Sequence, residues 1–270
     1  MHFPSMRWLL VTCVGAIIGT TTATILEVDV VFPRNETYAP NFWFPIVFAF
    51  QNAKSAELLN FYITFDIWNW HKNLGESYGY SHELKWANWS SHEPYFEYRF
   101  VDHLMREGHW RLQWTVSWQS CNEIAPPGNL GQKMIENDTT WYVNFATNNS
   151  APAVDLVAAT ANKTTCAREL GHAINVTDRT MDSDLSANWA RRWTCAVVAS
   201  STPTPTPDPC RVTIDSANAA SMTASWNAKL CKGLNPPPDC PKKRSASQQL
   251  RVVGTSCVLA ASGALGFLLL

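Results

Sequence analysis

Two tryptophans spaced two residues apart, Trp68 and Trp70, stand in the stretch Phe61–His71, with Thr64 and Asp66 at the preceding alternate positions and His71 beside them. Residues two apart on a strand share one face. Indole faces stack on the C–H faces of sugar rings, and two of them on one strand face lie about 7 Å apart. Such a set, Trp68, Trp70 and His71, would form a ligand-binding platform on which Asp66 and Thr64 reach hydroxyl groups. The competing assignment is packing. Tryptophan is mostly buried in folded chains, and this pair could instead seat the segment 150–241 against a β domain. The sequence leaves both assignments open.

Other residue sets have the right types for chemistry but not the right spacing. His71, His82, His92, His103 and His109, five of the seven histidines, fall within 39 residues. Ser81-His82-Glu83 and Ser91-His92-Glu93 repeat at a spacing of ten, yet neighbours on a strand point to opposite sides, so His82 and Glu83 cannot chelate one ion from a regular strand. With no HExxH and no CxxC, no metal centre is expected. Glycoside hydrolysis needs two carboxyls about 5–10 Å apart across a cleft. Asp66, Glu97, Asp102 and Glu107 are the candidates for that rival reading, a cell-wall-active hydrolase or transglycosylase. A serine nucleophile lacks its G-x-S-x-G turn. No cofactor is expected.

The elements that must position these residues are organised around Gly108–Cys121, GHWRLQWTVSWQSC. Trp110, Leu112, Trp114, Val116 and Trp118 alternate with Arg111, Gln113, Thr115 and Ser117, a period of two that predicts a half-buried strand with the tryptophan stripe in the core. Ile25–Phe32, Phe61–Trp70, His82–Trp86, Tyr95–Val101 and Thr140–Ala146 read as further strands. Phe42–Phe50 is apolar on both parities, as suits a strand covered on both faces, with Pro45 weakening its first half. Trp86 and Trp89 flank Asn88, where a glycan could cover them. About seven strands in some 120 residues predict a mainly β fold: an antiparallel immunoglobulin/fibronectin-like β-sandwich with a small disulfide-held C-terminal appendage containing one helix.

From Ser150 aromatics thin out. Val154–Ala158, His172–Val176 and Thr194–Ala199 read as short strands, and Thr202–Pro209 as a stiff polyproline-type segment. Asp215–Leu230 is the helical candidate, with Met222, Trp226 and Leu230 on one stripe and Cys210, Cys231 and Cys240 around it.

Both termini carry an address. Met1–Ala23 has a short basic n-region, an apolar h-region and small residues before a cleavage after Ala23, the pattern of a secretory signal peptide. The apolar tail Cys257–Leu270 follows a polar spacer and the small triplet Ser245-Ala246-Ser247, the pattern of a GPI anchor with Ser245 as attachment residue. The alternative is a transmembrane helix over Val252–Leu270, which no Lys or Arg follows. Lys242-Lys243-Arg244 is read as a solvated charge run, with a juxtamembrane cluster and a processing site as alternatives. Removal of both ends takes Arg7 and Arg251 from 21 basic residues against 22 acidic, leaving a net charge of −3. Nucleic-acid binding, which needs a basic patch, is therefore not expected.

Cys13 and Cys257 lie in the removed segments. Cys121, Cys166, Cys195, Cys210, Cys231 and Cys240 remain, an even set that implies a disulfide framework in a secreted chain. A Cys166–Cys195 bridge is the first expectation. N-x-S/T sequons at Asn35, Asn88, Asn137, Asn148, Asn162 and Asn175 mark expected N-glycosylation on surface loops. The expected organisation is 1–23 signal peptide, 24–149 sandwich, 150–201 cysteine-containing extension, 202–209 Pro/Thr-rich segment, 210–244 cysteine-pinned helical segment and 245–270 anchor region.

The stretches VDVVFPRNETYAP, LKWANWSSHEPYFEYRF, EGHWRLQWTVSWQSC, VDLVAATANKT, INVTDRTM, CAVVASSTPTPTPDPCRV and the closing GALGFLLL resemble an uncharacterised family of fungal secreted proteins that carry one large domain of unknown function and often a GPI-type tail. The resemblance covers nearly the whole processed chain. It implies a fungal cell-surface location and carries over no activity. Together with the residues, it points to a non-enzymatic structural or binding protein whose partner is wall polysaccharide or a neighbouring surface protein.

Overall fold

The computed structural model describes residues 23–71, 77–124, 134–161, 163, 166–182, 194–200 and 205–241. The expectations for the signal segment, Asn162, the basic triplet, Ser245 and the apolar tail lie outside the described residues.

The chain is mainly β. In order it forms β1 (Ala23–Phe32), β2 (Thr37–Tyr38), β3 (Phe44–Gln51), β4 (Tyr62–Asn69), β5 (Ser77–Glu83), β6 (Tyr95–Val101), β7 (Gly108–Cys121), β8 (Met134–Thr147), helix α1 (Leu156–Ala161), β9 (Gly171–Asp182), β10 (Thr194–Val198) and helix α2 (Ser216–Leu230). Two five-stranded sheets result, ordered β10-β9-β1-β3-β6 and β2-β8-β7-β4-β5. All strand pairs are antiparallel except the two-residue β2 against β8.

The sheets pack face to face through aromatic rings. Phe48 of β3 meets Phe65 of β4 at 5.7 Å and Trp114 of β7 at 5.8 Å, and Phe44 stacks on Phe145 of β8 at 5.4 Å. The predicted stripe is the core: Trp110, Leu112, Trp114 and Val116 have no exposed surface. Trp89 joins this core against Phe50, Phe61 and Tyr95 instead of lying under a glycan, whereas Trp86 is exposed. Strand β3 is buried along its whole length, as its two-sided apolar run predicts. Pro45 sits inside it, beyond the β1 ladder that ends at Phe32 and Val47, where β6 alone flanks it.

Two sequence expectations are corrected here. The strand expected at His82–Trp86 runs instead from Ser77 to Glu83. Gly79 lies in this strand opposite Asp66, where a Cβ would stand 2.9 Å from Asp66 Oδ1. The strand expected at Val154–Ala158 is helix α1, with Asp155 Oδ1 accepting the N–H groups of Val157 and Ala158 at its start.

The segment after 150 completes the first sheet. Strand β9 pairs with β1 from Ala23↔Thr177 to Asp29↔Gly171, and β10 lies outside it. Residues 205–214 then run over the outer side of that sheet. Asp208 N–H donates to Glu27 Oε1, Arg211 Nε donates to Gln51 Oε1, and Ile214 N–H donates to Thr160 Oγ1 of α1. Glu27, Asp29 and Gln51 are buried as a result.

One open side of the sandwich is closed by alternate side chains of β5. Tyr78 stacks on His103 at 3.7 Å, Tyr80 lies under the Arg99 guanidinium at 5.2 Å, and His82 Nδ1 bonds Glu97 Oε1 at 2.6 Å. The opposite side carries the Cys121–Cys195 disulfide between β7 and β10. Cys166 pairs with Cys210 and Cys231 with Cys240. The expected Cys166–Cys195 bridge is therefore wrong: the sheet order sets β10 beside the end of β7, a relation that spacing along the chain does not encode.

Two compact units divide at Ser216 and Ala217. The second contains α2 from Ala217 onward and the loop closed by Cys231–Cys240. The helix lies where the alanine-rich stretch with its Met222, Trp226 and Leu230 stripe predicts it. Cys231 N–H and Gly233 N–H, which donate to Asn227 O and Leu230 O, end it. Among the described residues no helix is long and apolar enough to cross a membrane.

Candidate functional site

The outer faces of the two sheets differ. That of the β1 sheet is covered by residues 205–214 over Glu27, Asp29, Gln51 and Gly171. That of the β7 sheet exposes aromatic side chains: Tyr142 is 51% exposed, Trp70 43% and Tyr62 39%.

Strand register builds this face in rows. Asn144, Arg111, Trp68 and Ser77 lie side by side on β8, β7, β4 and β5. The next row is Tyr142, Gln113, Asp66 and Gly79, followed by Thr140, Thr115, Thr64 and Ser81, and then Asp138, Ser117, Tyr62 and Glu83. The inward alternates Ile63, Phe65 and Ile67 are buried, which fixes the outward direction of Thr64, Asp66 and Trp68. Thr115 and Thr140 share a hydroxyl hydrogen bond of 2.7 Å in the middle of the floor.

Arg111 organises one end. Its guanidinium lies 5.2 Å from the Trp70 ring and 5.7 Å from the Tyr142 ring, and its Nε donates to Asn144 Oδ1 at 2.9 Å. Trp70 has left the strand ladder and sits in a bend, held by its N–H on His109 O at 3.1 Å. His71 meets Trp70 edge-on at 4.3 Å and stacks on His109 at 4.3 Å. Gly108 permits this turn, because a Cβ there would stand 2.5 Å from Asn69 Nδ2.

Open recesses lie at both ends of the floor. One of about 660 Å³ is lined by Thr37, Glu107, His109, Asn148, Ser150 and Pro152 among others. One of about 360 Å³ beside Tyr62 is lined by Glu83, Lys85, Ser117, Gln119 and Glu136 among others.

Trp68, Trp70, Asp66 and His71 thus lie together on one exposed edge of one sheet, with Trp68 half-buried. The sequence reading missed Arg111, Tyr142, Gln113 and Asn144, which adjoining strands contribute. Their signal was present: they are the polar and aromatic alternates of the buried stripes Trp110–Trp118 and Val143–Phe145.

The other carboxylates named for catalysis each have a partner, and Glu107 lines the larger recess beside His109. Glu97 bonds His82 and Tyr95, Asp102 pairs with His103 at 3.0 Å, and Glu107 accepts Asn149 N–H at 2.8 Å. The described histidines form no group of three or more with Cys, Asp or Glu that could hold a metal ion.

A second acid pair is buried outside this face. Burial first, and then the charge of Glu27 two residues away, push the Asp29 carboxyl up to about 9, and burial also raises Glu27. Gln51 Nε2 donates to Asp29 Oδ2 at 2.7 Å.

The sequons divide. Asn35, Asn88 and Asn148 are exposed in bends and turns. Asn137 and Asn175 lie within β8 and β9, not on loops, and Asn137 Nδ2 donates to Ser120 Oγ at 3.0 Å.

No curated protein and no solved structure matches the chain. Residues 21–240 match a family described as a domain of unknown function, DUF7136, and the chain belongs to that family.

Proposed function

We propose that this chain is a glycan-binding glycoprotein of the fungal cell surface, held by a GPI anchor, that grips wall polysaccharide on the outer face of the β7 sheet without cleaving it. The observation that carries the reading is the Arg111 guanidinium held between the exposed rings of Trp70 and Tyr142. A flat polar floor edged by aromatic rings suits the alternating apolar and hydroxyl faces of a sugar chain. Gln113, Asn144, Thr64, Thr115 and Asp66 supply donors and acceptors along that floor. Tyr62 lies eight residues from Trp70, a run of about 25 Å at strand spacing, so several sugar rings fit between them. The signal-like N-terminus, the anchor-like tail and the six sequons support the location.

The test is retention of the purified chain on insoluble β-glucan, chitin and mannan, beside Trp70→Ala/Tyr142→Ala and Trp68→Ala variants. Retention by the parent chain on one of these polymers is expected, with loss in the double variant while its folded spectrum persists. Retention that survives the double variant moves the site elsewhere, and no retention on any of the three ends the reading for these neutral wall polysaccharides.

A further inference from the structure

We infer that the glycan held on this face is anionic and that Arg111 forms the subsite for a uronate carboxylate. The inference rests on the glycan-binding reading and adds the charge of the ligand.

Among the described residues Arg111 is a cation without an acid partner. Its hydrogen bond there goes from Nε to the neutral amide oxygen of Asn144, and both its ring neighbours are uncharged. Arg179 and Arg211, by contrast, face Glu123 and Glu27. Trp70 and Tyr142 flank the half-buried guanidinium, and with Nε taken by Asn144 the four N–H groups of its two Nη atoms are the donors offered at the rim. That planar fork matches a carboxylate in two parallel charge-assisted hydrogen bonds.

The acid nearest on the floor is turned aside. Asp66 lies in the adjacent row, and its Oδ1 leans over Gly79 on β5, the strand on the far side of β4 from Arg111. The floor is therefore polarised across its width, with a donor fork toward β8 and an acceptor toward β5. A uronate ring resting on Trp70 or Tyr142 would place its carboxylate at Arg111 and its hydroxyls toward Gln113 and Asp66. One isolated guanidinium meets one planar single charge. A phosphate or a densely sulfated chain would call for several cations, and among the described residues the rows of the floor offer Arg111 alone.

The test compares an oligoglucuronate with a neutral oligoglucoside and a sulfated oligosaccharide of equal length, at low and at moderate salt, using the full chain and its Arg111→Ala and Arg111→Lys variants. The parent chain should prefer the oligoglucuronate, and added salt should weaken that binding while leaving the neutral ligand nearly unaffected. Arg111→Ala should cost about 10- to 100-fold on the uronate, since hydrogen bonds to a charged group are lost. It should cost only a few-fold on the neutral ligand, and Arg111→Lys should restore part of the difference. Equal losses on both ligands, a preference for the neutral one, or binding of a sulfated oligosaccharide alone overturns the inference while glycan binding stands. No binding of any of the three removes the glycan-binding reading as well. The salt comparison needs only the parent chain, so a variant that fails to fold does not stall the test.

Discussion

The ring of Trp70 lies 5.2 Å from the guanidinium of Arg111, although Trp70 stands in a bend beyond β4 and Arg111 stands within β7. The contact joins a bend to a strand, and it sits at the exposed end of a sheet whose inner face is packed. Its energetic weight should be small, because an exposed cation–π contact contributes about 0.5–1 kcal/mol. Trp70→Ala should therefore shift unfolding stability by no more than about 1 kcal/mol while abolishing retention on polysaccharide. Trp114→Ala, which empties a site with no exposed surface, should cost about 3–5 kcal/mol. Denaturant unfolding of both variants, read beside the binding assay, separates the two roles. Comparable destabilisation by both would show Trp70 to be a packing residue.

How much of this was legible in the sequence depends on the range of the interaction that decides each feature. The alternation in Gly108–Cys121 is local, so the tryptophan core and the outward set Arg111, Gln113, Thr115 and Ser117 both follow from it. Trp68 and Asp66 follow from β4 in the same way. Tyr142 joins Arg111 only because β8 pairs with β7 in a particular register, and register is a relation between strands. Glu27 and Asp29 alternate with Leu26 and Val28 and so read as solvated residues. Their burial is imposed by Asp208, 181 residues away from Glu27. The disulfide partner of Cys195 is likewise set by which strand lies beside β10.

The buried acid pair and a half-buried histidine should shape the pH dependence of stability. Asp29, ordinarily near 3.8, is held up to about 9 by burial and by Glu27, with Asp208 and Arg211 facing the pair from residues 205–214. The folded chain keeps a proton that the unfolded chain releases near pH 4. The contribution of this pair is thus complete below that point and is lost as pH rises through about 9. His172 acts in the opposite sense. Burial lowers it to about 4, with its ring against Trp118 and Trp141 at 5.2 and 4.9 Å, so its contribution is present above 6.5 and is lost as pH falls through about 4. The two slopes oppose each other between pH 4 and 6.5, and above 6.5 the acid pair acts alone. Stability should decline from neutral toward pH 9. Asp29→Asn, which keeps an oxygen for Gln51 and carries no charge, should flatten that decline and raise stability at pH 8 by about 1 kcal/mol or more. Urea midpoints from pH 4 to 9 test this, and a parent chain more stable at pH 9 than at 7 would contradict it.

Gly171 is the point where the covering segment meets the sheet. A Cβ there would stand 2.5 Å from Asp29 Oδ1 and 2.9 Å from Pro207 Cβ, and a rigid proline cannot swing aside. Gly171→Ala should displace residues 205–209 and cost about 1–3 kcal/mol, the usual range for overpacking. Hydrogen exchange should then quicken at Asp208, whose N–H donates to Glu27. Unchanged exchange at Asp208 would mean that the strain is absorbed elsewhere along β9.

The three disulfides should contribute unequally, in the order of the loops they close. Cys121–Cys195 spans 74 residues, Cys166–Cys210 spans 44 and Cys231–Cys240 spans 9. A longer closed loop removes more entropy from the unfolded chain, although the gain grows only with the logarithm of its length. The first bridge also stands alone in joining one sheet to the other, beside Val197, Met134 and Met181. The nearby Arg179–Glu123 ion pair is exposed on both sides and cannot replace it. Replacing Cys121 and Cys195 together by serine should therefore lower stability by about 2–4 kcal/mol and speed amide exchange in β9 and β10 ahead of β4 and β7. Replacing Cys231 and Cys240, which lie in the second compact unit, should leave the unfolding of the sandwich within about 0.5 kcal/mol of the parent. Unfolding followed by tryptophan fluorescence, with Trp110 and Trp114 reporting from the core, measures both. A larger effect from the nine-residue bridge would mean that loop length does not set the order of the three contributions.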